Sequence, residues 1–437
     1  MKFQTKKGLF LLLLISLLPI IPWYFLSPVR TLQLNYENFT HALGQITALI
    51  GMTMFAITFV LSTRWKFIEK LLGGLDNVYV VHRIFGSSSF VLILLHPLLL
   101  VLKYIPARMD LAAKYLLPGH GFSVDLGIIA LAGMIILLAM TFYINIKYNY
   151  WKMSHKFLGL FFIIAVFHIF LVRGTASRDY IFQGYYVYAF IVSAIGLFAF
   201  FYTLIFKKLK TIPYKITSII KNNSFFDIRM IPVNKNNSLR YEPGQFAFFS
   251  FHNKDLGKES HPFSLASNSK EELRIIVKAL GDYTNKLEYL ESGCKVSVEG
   301  PYGEFTLKKE NSSLLWIAGG IGITPFIGMT EKLVEERKKY SRRKAVLYYC
   351  ARTEAELIVL KELQELEKVS EGYFKVVPWC SDKQGRISSK DIIALNPMKN
   401  AKVYLCGPKG LKESLIKQLI KQGIKKKVIF QEEFEFK

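Results

Sequence analysis

Four of the chain's eight histidines fall into two matched pairs inside long apolar segments, His82 with His96 and His155 with His168. The members of a pair are fourteen and thirteen residues apart, and at about 1.5 Å of rise per helical residue each pair spans roughly 20 Å. That is most of a hydrocarbon core about 30 Å thick. Fourteen residues make about 3.9 helical turns and thirteen about 3.6, so both imidazoles of a pair stay near one helix face. Two such helices side by side offer two bis-imidazole sites. The chemistry they suit is axial ligation of two stacked b-type haems within a membrane. A single histidine on an apolar helix is more often a packed interior residue. Ionisable groups are costly in a bilayer and tend to be functional there, and the spacing recurs on two helices, so the pattern predicts ligation by all four.

The elements that must hold these ligands are six apolar runs, residues 9–26, 41–61, 78–102, 122–142, 155–173 and 185–206, each long enough or nearly so to cross as a helix. The first follows a basic start but no A-x-A-like cleavage site, so it is read as a span. Lys2, Lys6 and Lys7 precede it; Arg64, Lys66 and Lys70 follow the second run, Lys147 and Lys152 the fourth, and Lys207, Lys208 and Lys210 the sixth. The positive-inside rule therefore puts both termini in the cytoplasm, although Lys103, Arg108, Lys114, Arg173 and Arg178 fall in the outer loops. On this topology the third and fifth spans both run outward. His82 and His155 then share the cytoplasmic depth, and His96 and His168 the outer one. Arg83, beside His82, suits a haem propionate or a lipid phosphate equally well. His41 and His120 lie near span ends and read as interfacial residues.

The 437 residues are 51% hydrophobic, include 35 Phe and carry a formal net charge of +24. The apolar runs end near residue 206, and the remainder reads as a soluble protein rich in Lys and Glu. The basic residues are dispersed or flank apolar segments without forming a stripe, which excludes a nucleic-acid partner. Anionic lipid headgroups account for the excess better. Cys294, Cys350, Cys380 and Cys406 all lie in the soluble half at spacings that match no metal site, and read as free thiols in a reducing compartment.

From Pro213 onward short alternating or β-branched runs, residues 214–220, 226–231, 245–251, 262–267, 273–280 and 295–299, predict a small antiparallel barrel. Within it His261-Pro262-Phe263-Ser264 opens a strand, and Gly281-Asp282-Tyr283-Thr284 leads from a strand into a helix. An aromatic residue and a hydroxyl on a strand can pack and hydrogen-bond an isoalloxazine ring, and a glycine-led helix start suits a pyrophosphate. Residues 314–318 then read as a fully buried strand, followed by Gly319-Gly320-Ile321-Gly322-Ile323-Thr324-Pro325 opening a helix. This is like a dinucleotide phosphate loop, since glycines admit close backbone approach and the helix start supplies unpaired N–H donors. It is not the G-x-G-x-x-G fingerprint. Further buried strands at 345–350 and 402–405 precede Arg352 and Cys406-Gly407-Pro408. Strands alternating with helices predict a parallel, helix-covered sheet that binds ligands beyond the carboxyl ends of its strands.

Residues 261–267, 319–325 and 406–408 resemble the flavin, nicotinamide-phosphate and Cys-Gly-Pro motifs of the ferredoxin-NADP reductase superfamily. With six spans and paired histidines, the chain over nearly its whole length resembles the ferric reductase and NADPH oxidase family. The His-Pro-Phe-Ser form and His82-Arg83 sharpen the match. The resemblance implies that His261, Pro262, Phe263 and Ser264 contact FAD, with Gly281, Tyr283 and Thr284 near its pyrophosphate. It implies that Gly320, Gly322, Thr324 and Pro325 carry the nicotinamide nucleotide with Gly407 and Pro408. Arg352 stands where the family receives a 2′-phosphate, which a guanidinium fork suits; the alternative is a solvated surface arginine. Cys406 would sit near the nicotinamide, or be a buried structural thiol. A near-terminal aromatic, Phe434 before Phe436, would cover the isoalloxazine. No EF-hand-like loop is present, so calcium control is not expected; no obligatory regulatory subunit is evident.

The expected architecture is a six-span haem domain over residues 1–210, an FAD-binding β-barrel over 211–308 and an NAD(P)H-binding α/β domain over 309–437. The resemblance implies an integral protein of a bacterial plasma membrane that passes electrons from NADPH, or NADH, through FAD and two haems to an external acceptor. Dioxygen giving superoxide is one such acceptor. Fe(III), or a separate extracytoplasmic protein that the membrane domain serves, are the alternatives.

Overall fold

The computed structural model describes the chain apart from residues 1–2, 27–35, 145–147, 173–180, 207–209, 223, 258, 269–270, 308–311, 341–342, 396–400 and 433–437. Two compact units divide it, Met1–Leu209 and Lys210–Lys437.

The described part of the first unit is helical: α1 (Phe3–Leu17), α2 (Ile20–Leu26), α3 (Tyr36–Ser62), α4 (Lys66–Leu72), α5 (Leu75–Leu102), α6 (Met109–Leu116), α7 (Phe122–Tyr143), α8 (Tyr148–Lys156), α9 (Leu158–Leu171) and α10 (Ile181–Leu204). Six of its helical stretches are long and apolar enough to cross a bilayer, running from Thr5–Phe25 to Tyr186–Leu204. Large side chains such as Phe10, Phe122, Phe190 and Phe198 lie exposed on their surfaces. The unit is an integral membrane domain, because helices that satisfy their own backbone can present such side chains to lipid.

Several boundaries differ from those read from hydropathy. The fifth span begins near Tyr148 rather than at residue 155, and it breaks at Phe157 into α8 and α9. Polar residues in α8 hide its first turns from a hydropathy window. At the break the Phe157 N–H bonds back only three residues to Ser154 O, while the Ser154 hydroxyl donates to Trp151 O, a local competition that tightens the turn. His155 and His168 therefore lie on either side of a break and not on one straight helix. The first span is likewise divided between α1 and α2. The segment between the third and fourth runs, read as a loop, carries α6.

The second unit starts with β1 (Ile212–Asn222), β2 (Phe225–Pro232), β3 (Phe246–Phe251), β4 (His261–Ser264), β5 (Leu273–Lys278) and β6 (Lys295–Tyr302). They form an antiparallel, nearly closed sheet in the order β4-β3-β6-β1-β2-β5 around Ile228, Phe249, Ile275 and Val298. The strand expected over 262–267 is shorter. After Ser264 the Leu265 N–H goes to Gln245 O and the Ala266 N–H to Arg274 O, so the chain turns from β3 toward β5 and helps to close the barrel. Helix α11 (Asp282–Asn285) follows β5.

Then β7 (Leu314–Gly319), β8 (Ala345–Ala351), β9 (Phe374–Cys380), β10 (Lys402–Cys406) and β11 (Ile429–Gln431) make a parallel sheet in the order β11-β10-β7-β8-β9. Helices α12 (Thr324–Glu335), α13 (Leu360–Val369), α14 (Ser381–Gln384), α15 (Ser389–Leu395) and α16 (Lys409–Lys421) connect it. Trp316 packs on one face with Phe326 and Tyr404, and Leu315 and Ile317 on the other with Leu405 and Leu415. Burial on both faces explains why β7 reads as an unbroken apolar run.

Candidate functional site

In the membrane unit α5 runs antiparallel to α3, and three contacts at seven-residue intervals fix its register. His82 Nδ1 lies 3.0 Å from Thr58 O, Ser89 Oγ donates to Gly51 O at 2.8 Å, and His96 Nδ1 lies 2.8 Å from Gly44 O. A seven-residue repeat keeps one helix face against its neighbour. The glycines admit the approach: a Cβ on Gly51 would meet Ile93 Cγ1 at 2.9 Å, and one on Gly44 would meet His96 O at 3.3 Å. On the partner helices, His168 Nδ1 lies 2.6 Å from Ser123 O of α7.

A carbonyl oxygen only accepts, so in each of these three bonds Nδ1 carries the proton and Nε2 keeps its lone pair. A metal-ligating histidine has this tautomer, its far ring N–H donating to a backbone carbonyl that fixes the ring's orientation. The His82 and His155 rings lie side by side, with centroids 6.3 Å apart and planes at 60°. Imidazoles on opposite faces of one metal, with bonds of about 2 Å, have ring centres about 6 Å apart. Buried His155 Nδ1 has no hydrogen-bond partner among the described residues, and Trp151 stacks on its ring at 5.3 Å. Among the described residues no three His, Cys, Asp or Glu cluster as a metal site. Paired imidazoles suit a metal whose remaining donors come from a macrocycle, and these residues fit haem. Arg83 is exposed.

In the barrel β4 pairs with β3, Phe246 opposite Ser264 and Phe248 opposite Pro262. Alternation along a strand puts His261 and Phe263 on one face and Pro262 and Ser264 on the other. Phe263 turns into the barrel against Phe249, at a centroid distance of 6.0 Å. The aromatic ring and the hydroxyl that the sequence placed together on a flavin therefore occupy opposite faces. The Ser264 face carries Phe246, Phe248 and Tyr302 instead. Sequence reasoning singled out none of these three; the alternation in 246–251 was the available signal for Phe246 and Phe248, and Tyr302 joins them only through the pairing of β3 with β6.

His261 stacks on Tyr283 with centroids 3.6 Å apart, and its Nε2 lies 2.9 Å from Glu259 Oε2. This contact joins the two motifs assigned to FAD. Burial, with Glu259 and Cys294 nearby, raises the Tyr283 phenol well above its usual range, so it stays a donor. Its buried hydroxyl has no partner among the described residues, as a group awaiting a polar ligand would. Thr284 is not free: its Oγ1 accepts from the Leu280 and Gly281 N–H groups at 3.0 Å each. Those amides close a four-residue helix and are not open for a pyrophosphate, so Gly281 and Thr284 shape this turn.

The parallel strands bring the remaining motifs to one edge of the sheet. The glycine-rich loop after β7 passes through a 3-10 turn, Gly320–Ile323, before α12 begins at Thr324 with Pro325 in its first turn. Gly320 has φ +53°, and a Cβ there would meet nothing within 4 Å. Gly322 is packed tightly instead, since a Cβ there would come 2.4 Å from Cys406 O. Its bareness serves approach to the Cys406-Gly407-Pro408 loop, and Gly407, at φ +151°, lies against Gly319 in the same way. Thr324 is buried and its hydroxyl donates to Ile321 O.

Cys406 ends β10 opposite Ala318 and is 1% exposed. Burial and then Glu432 push its thiol far up, with Lys412 opposing, so it is neutral and no thiolate nucleophile. Lys412 Nζ donates to Glu432 O, holding the chain beside Cys406. Phe434 and Phe436, just beyond, lie outside the described residues. Arg352 follows β8 with its side chain 76% exposed and Nε 3.3 Å from Asp382 Oδ1.

Residues 47–166 match the ferric reductase like transmembrane component, 209–306 an FAD-binding domain and 316–417 the oxidoreductase NAD-binding domain. The propane 2-monooxygenase reductase component of Mycolicibacterium goodii is 28% identical over 235 residues, covering 49% of this chain and 64% of that protein. A probable dihydroorotate dehydrogenase B (NAD(+)) electron transfer subunit of Pyrococcus abyssi is 33% identical over 172 residues, covering 39% and 60%. The chain thus spans less than two thirds of these curated relatives. The flavohemoglobin of Malassezia yamatoensis, solved with bound FAD and heme, aligns at a TM-score of 0.50 and 19% identity over 92% of this chain and 100% of its own, a likeness of fold alone.

Proposed function

The chain has the ferric reductase and NADPH oxidase architecture, a membrane-fused FAD and NAD oxidoreductase taking electrons from NAD(P)H through flavin, and from this we propose that two b-type haems in its membrane half deliver those electrons to dioxygen across a bacterial plasma membrane, with both termini cytoplasmic. The observation that carries the haem assignment is the juxtaposed His82 and His155 pair, 6.3 Å between ring centres with planes at 60°, with His82 held in the ligating tautomer by Thr58.

Bound flavin supplies the conversion of a hydride donor into single electrons, and bound haem a one-electron relay. The chain's own residues supply the rest. Helices α3 and α7 fix the tautomer and ring orientation of His82, His96 and His168 through backbone carbonyls. His82 with His155 and His96 with His168 would hold the two haems, which would supply one-electron transfer toward the acceptor. Tyr283 and the Ser264 face of β4 hold FAD, and the glycine loop before α12 holds the dinucleotide phosphates. Arg352 receives the 2′-phosphate that distinguishes NADPH, and exchanges Asp382 for it. Neutral Cys406 packs beside the nicotinamide.

The test is NADPH-driven cytochrome c reduction by purified, cofactor-supplied protein in detergent, with and without superoxide dismutase. Loss of the signal with dismutase is expected. Persistence would mean direct transfer, and a metal or a partner protein as acceptor.

A further inference from the structure

Hydride transfer takes one hydrogen nucleus and two electrons from a dihydronicotinamide, which leaves as the oxidised nucleotide, and the reacting atoms must come to about 3–3.5 Å. Here one domain holds each nucleotide, so the register between barrel and sheet is itself a condition of the chemistry. Helix α12 carries that register. It begins at the phosphate loop, and its body lies on the barrel, where a Cβ on Gly328 would meet Ser267 O at 2.5 Å. The Asn268 backbone N–H donates to Glu331 Oε2 at 2.6 Å, and its side-chain amide to Glu335 Oε2 at 2.7 Å.

A second contact lies beside the first. Arg274 of β5 is 5% exposed and grips a carboxylate from each domain. It donates to Asp227 of β2 through Nε at 3.0 Å and Nη2 at 2.7 Å, and to Glu362 of α13 through Nη1 at 2.6 Å and Nη2 at 2.9 Å. A buried guanidinium is a poor device for stability alone, because desolvation offsets its Coulomb gain. Two bidentate forks at right settings are a good device for orientation.

We propose that Arg274, clasping Asp227 and Glu362, is a positioning residue for hydride transfer, setting the distance and angle at which the sheet domain presents nicotinamide to flavin in the barrel. The proposal rests on the NAD(P)H-to-flavin reading. Removing Arg274 would strand Asp227 in the interior and risk the fold. The variant to use is Glu362→Ala, because that carboxylate is 33% exposed and its loss leaves Arg274 on Asp227. Glu362→Gln, which keeps an acceptor oxygen, is the conservative companion.

Two readouts decide the matter: anaerobic single-turnover bleaching of the flavin absorbance at saturating NADPH, and amide hydrogen exchange of the holoprotein without nucleotide. Glu362→Ala should bleach about tenfold or more slowly, while its half-saturating NADPH concentration moves less than about threefold. Exchange should quicken in β5 and α13, and Glu362→Gln should recover part of both effects. Bleaching at the wild-type rate would overturn the proposal, and faster exchange with an unchanged rate would do so too, leaving the clasp merely structural. Wild-type protein that NADPH and NADH both fail to bleach would instead overturn the underlying reading, and the proposal with it.

Discussion

In the membrane half, three of the four paired histidines are set by backbone carbonyls on a neighbouring helix, whereas in the reductase half the motif residues are set by loops from distant parts of the chain. A transmembrane helix satisfies its own backbone, so position along the sequence converts directly into depth and face. The edge of a parallel sheet has no such rule. There, Gly322 meets Cys406 and Gly407 meets Gly319 only because β7 and β10 are neighbours. Spacing carries geometry in the first case and only residue type in the second.

The largest expected effect breaks one half and spares the other. His155→Ala or His82→Ala should abolish electron delivery to the external acceptor, while NADPH-dependent ferricyanide reduction at the flavin continues. Assaying both activities on one preparation checks this, and a parallel loss of ferricyanide reduction would contradict the division.

What the sequence shows follows the same division. The histidine pairing and the six spans are visible because helical periodicity is strong in apolar runs. The Gly44, Gly51 and Thr58 heptad that matches His82, Ser89 and His96 is equally periodic, but it gains meaning only once α3 and α5 are known to be antiparallel neighbours. The break at Phe157 escapes because polar α8 lies below a hydropathy window. In the barrel, strand alternation alone places Phe263 and Ser264 on opposite faces, yet which face is the core depends on the pairing of β4 with β3. The competition of Thr284 for the Gly281 amide is a local hydrogen bond that motif matching does not resolve.

A somewhat smaller effect sharpens the membrane side. Gly51→Leu forces a side chain into the space of Ile93, so it should cost about 1–3 kcal/mol through overpacking. A lower thermal midpoint together with reduced haem content would show that close approach of α3 and α5 builds both sites. Unchanged haem content would mean that the seven-residue register is dispensable.

Arg352→Ala tests the reductase side alone. It should weaken NADPH about tenfold, the scale of one charge-assisted contact, and barely affect NADH. Equal Michaelis-constant changes for the two nucleotides would remove the 2′-phosphate assignment.

The smallest effect concerns the thiols. Burial raises an acid's pKa, so Cys406 and Cys350, the latter pushed up to about 12, remain neutral through pH 9. Iodoacetamide should label both slowly in native protein, with little acceleration between pH 7 and 9, when followed by peptide mass spectrometry. Rapid labelling of Cys406 at pH 7 would mean a stabilised thiolate beside the nicotinamide site.

The most direct measurement is haem per polypeptide, from the pyridine haemochrome absorbance of purified protein and of the four single His→Ala variants. The account predicts two haems in the wild-type chain and one in each of His82→Ala, His96→Ala, His155→Ala and His168→Ala. Full b-haem absorbance in any of these variants would contradict the assignment of that pair.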